Sequence, residues 1–116
     1  MSYDLFVFSG PIPRTEVEFT GLLERFQAGD EAAFEASPRL AAFYEELLRK
    51  YPSPEDLPED KVDDSVWAMS PDESDRLLAL NFAWPEAERI AKEVPKLARK
   101  HGLALMDPQS GVIVRP

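Results

Sequence analysis

The chain has 116 residues, one domain's worth, and 13 basic against 22 acidic side chains give it a formal net charge of −9. With 44% hydrophobic residues it can fill one core, which excludes a wholly disordered chain. No apolar stretch approaches the roughly 18 residues that cross a bilayer, and the absence of cysteine removes disulfides, thiolate metal sites and thiol nucleophiles. The excess of acid repels phosphate, so neither nucleic acid nor an anionic membrane is expected as a partner.

Leu5-Phe6-Val7-Phe8, closed by Ser9-Gly10-Pro11, reads as a buried strand. Phe19, Leu22, Leu23 and Phe26 recur at helical spacing, which predicts a helix over 15–27 stopped at Gly29-Asp30. The clearest element covers 38–50. Ser37 can cap it, Pro38 suits its first position, and Leu40, Phe43, Tyr44, Leu47, Leu48 and Tyr51 form one apolar stripe before Pro52. From Pro52 to Asp64 the chain alternates proline and acid and is expected to be a solvated loop.

Val66-Trp67-Ala68-Met69 reads as a short strand, and 77–84 as a longer one with two apolar faces, hence central in its sheet. Between the two runs a turn-rich gap suggests an antiparallel hairpin. Pro85 opens a last helix, whose stripe of Ile90, Val94, Leu97 and Ala98 ends at Gly102; Pro95 within it predicts a bend or a break near 91–94. Leu103 to Met106 and Val112 to Val114 then form a terminal hairpin across Asp107-Pro108-Gln109-Ser110-Gly111. The order implies a single α+β domain over 1–116. Its expected form is a ferredoxin-like split βαβ sandwich, an antiparallel sheet covered by helices on one face, with a C-terminal hairpin.

Charge is unevenly placed. Nine acids between Glu55 and Arg76 face only Lys61 and Arg76, a net of −7, while 89–116 carries +4. Either segment can be ordinary solvated surface. The acidic one can also draw in a basic partner, because complementary charge speeds association roughly 10–10³-fold. Its candidate contacts are Asp60, Asp63, Asp64, Asp72, Glu73 and Asp75, with Trp67 as a possible anchor; Trp84, beside Phe82, reads as core.

Catalytic patterns fare poorly. His101 is the lone histidine and stands at a helix end, where the dipole and the cap give it structural work. The acids around Asp60 lack the ladder, central glycine and closing glutamate of a calcium loop. Ser9-Gly10-Pro11 is no phosphate loop, and no dinucleotide fingerprint appears, so neither a cofactor nor a metal is expected.

Three segments resemble those of a group of small, mostly uncharacterised bacterial proteins: Ser2-Tyr3-Asp4-Leu5 within an opening strand, Trp67-Ala68-Met69-Ser70-Pro71 in the middle, and Gly102-Leu103 through Asp107-Pro108-Gln109 at the close. Some proteins of that group are similar to immunity proteins of polymorphic toxin systems. The resemblance implies a cytoplasmic, non-enzymatic protein that binds a cognate toxin with a basic cleft and occludes its active site. The alternatives are a small dimeric regulatory or adaptor domain associating through its sheet, or a carboxylate-based enzyme. No catalytic residue comes with the resemblance, and the oligomeric state stays open.

Overall fold

In a computed structural model the chain is described over residues 2–116, apart from the side chains of 62–64. Seven main elements follow one another: strand β1 (Ser2–Phe8), helices α1 (Glu16–Gln27) and α2 (Pro38–Lys50), strand β2 (Leu77–Ala83), helix α3 (Ala87–Lys100), and strands β3 (Ala104–Asp107) and β4 (Val112–Val114). The strands form one antiparallel sheet in the order β2-β1-β3-β4. The fold is α+β, and its strand order is compatible with a split βαβ arrangement.

Local chemistry explains the helix ends. Thr15 Oγ1 accepts from Glu18 N at 3.2 Å to cap α1, and Ser37 Oγ accepts from Arg39 N at 3.2 Å to cap α2, with Pro38 in its first turn. At the end of α3, Gly102 takes φ +68°, which lets Leu103 N reach Ala98 O at 2.9 Å and Gly102 N reach Arg99 O at 3.0 Å.

Helices cover both faces of the sheet, not one. Tyr3, Leu5 and Val7 of β1 join Leu78, Leu80, Phe82 and Leu105 in a core roofed by α2 and α3. Phe6 and Phe8 point the other way and meet Phe19 of α1, Phe34 and Met106 in a second, smaller core. The reason is visible in β1, whose two alternating rows are both apolar, so each needs a cover.

Three further expectations give way to the structure. The 77–84 run is not central: β1 takes that place, and β2 is an outer strand met on its far side by an isolated bridge at Trp67. Thus Val66 to Met69 forms one bridge to Phe82 in place of a strand, held by Ala68 N to Asn81 O at 2.9 Å and Ala83 N to Val66 O at 2.7 Å. Pro95 neither breaks nor ends α3, which runs unbroken from Ala87 to Lys100 because Ile90, Val94 and Ala98 are anchored on either side of it. The terminal hairpin is integrated into the sheet as β3 and β4.

The end segments of the resemblance meet in space. In the register that sets Phe6 against Met106, Pro108 falls opposite Asp4 and has no N–H to give. Gln109 replaces it with its side-chain amide: Asp4 N donates to Oε1 at 2.8 Å and Nε2 donates to Asp4 O at 2.8 Å. Asn81 Nδ2 and Ser2 Oγ both donate to Asp4 Oδ1 at 2.7 Å. These residues finish a ladder, which is a structural task.

Candidate functional site

The later part of the acidic segment is laid along α2 by one backbone and one side-chain hydrogen bond. Ser37 N donates to Asp75 O at 2.8 Å and Tyr44 Oη donates to Pro71 O at 3.1 Å, so the loop before β2 is tied to α2 at two points. Arg76 anchors its far end by donating to the Glu31 and Phe34 carbonyls, each at 3.0 Å. After α2 the chain passes Pro52 into a short 3₁₀ turn at Pro54–Asp56, which presents Glu55 and Asp56 outward. The loop is thus less open than expected, with a second 3₁₀ turn at Glu59–Asp64.

Tyr44 is where the two acidic stretches meet. Partial burial, then the charges of Glu73, Asp72, Glu55 and Asp56, push its phenol above the usual tyrosine range. Four carboxylates from two separate loops therefore share one field around a half-buried aromatic ring. A cleft of about 390 Å³ lies beside it, lined by Ala41, Tyr44, Glu45, Leu48, Arg49 and Glu73. Among the described residues, none of Glu55, Asp56, Asp60, Asp72, Glu73 and Asp75 joins an ion pair, and all six side chains are exposed.

The residues singled out in the sequence divide accordingly. Asp72 and Glu73 stand in the shared field; Asp60 and Asp75 are exposed, and Asp75 also lends its carbonyl to Ser37. The side chains of Asp63 and Asp64 lie outside the described residues. Trp67 is not available as an anchor: it is 5% exposed, stacks on Phe82 at 4.6 Å and donates Nε1 to Tyr51 O at 2.9 Å. Trp84 reverses its expectation in the other direction. The strand ends at Ala83, so Trp84 falls in the following turn, 47% exposed, its ring centroid 6.1 Å from that of Tyr3 at an interplanar angle of 61°.

Sequence reading missed Tyr44, Glu55 and Asp56. Tyr44 was counted only as part of the apolar stripe of α2, yet a hydroxyl at the border of such a stripe has to find an acceptor, and Pro71 O supplies it. That need was the available signal.

Other clusters serve the fold. Lys100 Nζ and His101 Nε2 lie 2.9 and 3.1 Å from Glu46 Oε1, tying α3 to α2, and the Lys100 hydrogen bond leads in holding Glu46 below the usual carboxylate range. Another cleft, of about 420 Å³, lies between 11–13 and α1; its charged residues are already engaged, Glu18 with Arg14 N and Arg25 with Asp30. Among the described residues, no group of three or more His, Asp or Glu is placed to hold a metal ion, and no helix is long and apolar enough to cross a membrane.

Comparison of the chain with protein-family models, with curated proteins and with solved structures gives no significant match.

Proposed function

We propose that the chain is an immunity-type inhibitor that binds a cognate bacterial toxin domain in the cytoplasm and occludes its active site. The supporting observation is that the charges of Glu55, Asp56, Asp72 and Glu73, from two separate loops, all act on the Tyr44 phenol, with no counter-cation paired to any of them among the described residues. Uncompensated acids on backbone-tethered loops form a preorganised negative surface, which steers a positive partner and loses little entropy on docking.

Such a face suits an enzyme whose own substrate is polyanionic and whose cleft is therefore lined with Lys and Arg. The adjoining cleft combines apolar surface from Ala41, Tyr44 and Leu48, suited to the methylene stem of such a side chain, with the Glu73 carboxylate; its one cation, Arg49, is paired with Glu45. Asp60, Asp63, Asp64 and Asp75 extend the negative charge along the same chain segments. Trp67 has no part in this surface, and the reading assigns no catalytic residue.

Co-expression with any toxin domain encoded in a reading frame adjacent to this chain's own tests the proposal. Growth is expected to be restored, with a complex recovered on purification. Reversing the charge of Glu55, Asp56, Asp72 and Glu73 together is expected to abolish both. A chain that neither protects nor binds contradicts the inhibitor reading; protection that survives the reversal contradicts the role of the acidic face.

A further inference from the structure

The two outer strands of the sheet end differently. The outer side of β2 is met at Trp67, whereas β4 closes the strand order and no strand among the described residues pairs with its outer side. An uncovered edge presents N–H and C=O groups that template a further strand. Apolar exposure marks the same region. Val112 in β4 is 52% exposed, and Val17, which follows Glu16 in α1, is 80% exposed.

Charge placement identifies the strand that fits. Val114 packs into the core beneath α2 and α3, and Ile113 into the core beneath α1, so alternation puts 111, 113 and 115 on the α1 side. Glu16 Oε2 stands on that side next to Gly111, 2.7 Å from the place of a Cβ there. Two β4 strands paired antiparallel about Ile113 bring Val112 of each copy opposite Val114 of the other. The same register brings Arg115 of each copy to Gly111 of the other, where Glu16 waits. Arg115 has no ion pair among the described residues.

We infer that β4 is a homodimerisation edge, at which a second copy of this chain extends the sheet across a two-fold axis. The contact is sealed by Val112–Val114 pairs and by one Arg115–Glu16 ion pair at each end. Strands of three residues bury less than the ~1,200 Å² typical of stable interfaces, so the dimer is weak and concentration-dependent. It leaves the acidic face free, because that face adjoins β2 at the opposite edge, and it does not depend on the inhibitor reading.

Sedimentation velocity of the whole chain over a wide concentration range tests this, with circular dichroism to confirm that each variant is folded. The wild type is expected to show a monomer–dimer equilibrium, weakened about tenfold or more by Val112→Lys and by Arg115→Glu. Combining Arg115→Glu with Glu16→Lys is expected to recover most of the association. Amide exchange over 112–114 should slow as concentration rises. A wild type that stays monomeric throughout overturns the inference. So does a dimer indifferent to the single substitutions, or a double reversal no better than Arg115→Glu alone.

Discussion

Trp67 and Trp84 are chemically alike and do opposite things. Trp67 closes the outer side of β2, stacked on Phe82 with its indole N–H satisfied by Tyr51 O, whereas Trp84 leans by one ring edge on Tyr3. Trp67→Ala should cost roughly 3–5 kcal/mol of unfolding free energy, and Trp84→Ala about 1 kcal/mol or less, in urea titrations. Equal costs would refute the burial assigned to Trp67. Tyr3 supplies a pH test. Burial first, then the charge of Asp107 and its hydrogen bond, raise the phenol to about 12 from 10.0, so the folded state keeps a proton that the unfolded state has released. The corresponding stability is complete below pH 10 and fades as pH rises towards 12. Tyr3→Phe is expected to flatten that alkaline limb of the melting curve, and an unchanged limb would contradict the assignment.

At the scale of elements, what was legible in the sequence follows from where the physics is local. Helix α2 was readable because Ser37, Pro38 and its apolar stripe specify cap, start and buried face within thirteen residues. Sheet order was not, since it depends on which strand finds which partner. The run 77–83 has Leu77 beside Leu78, which mimics a two-faced central strand, yet Leu77 alone serves the smaller core. Pro95 misled for a related reason: its local cost is real, but Ile90, Val94 and Ala98 hold the helix across it. Pro95→Ala should restore the bond to Ala91 O and stabilise the chain by about 1–3 kcal/mol, raising Tm. A fall in Tm would show that the ring is needed for packing. Of the candidate site, the excess of acid was legible and its assembly was not. Asp72 and Glu73 become neighbours of Glu55 and Asp56 only because Tyr44 and Ser37 tether the second loop to α2.

Over the whole molecule, charge is segregated by architecture. One acid-rich loop follows α2 and the other, which leads into β2, is tied to α2 at Ser37 and Tyr44, while Lys92, Lys96, Arg99 and Lys100 are exposed along α3. The net charge of −9 acts at long range, and the acids whose charges act on Tyr44 give it direction. Because these acids are exposed and unpaired among the described residues, neutralising them removes no native contact, and Tm should move little. Substitutions at this face should therefore leave stability intact.

The direct measurement is stopped-flow association, over a range of ionic strength, with a toxin domain against which co-expression of this chain protects. It compares the wild type with the variant carrying Glu55→Gln, Asp56→Asn, Asp72→Asn and Glu73→Gln. The wild type is expected to associate at a rate that falls steeply with salt, and the variant to be slower by about tenfold at low salt with a flattened dependence. Equal rates and equal salt slopes for the two proteins would contradict the role of the acidic face.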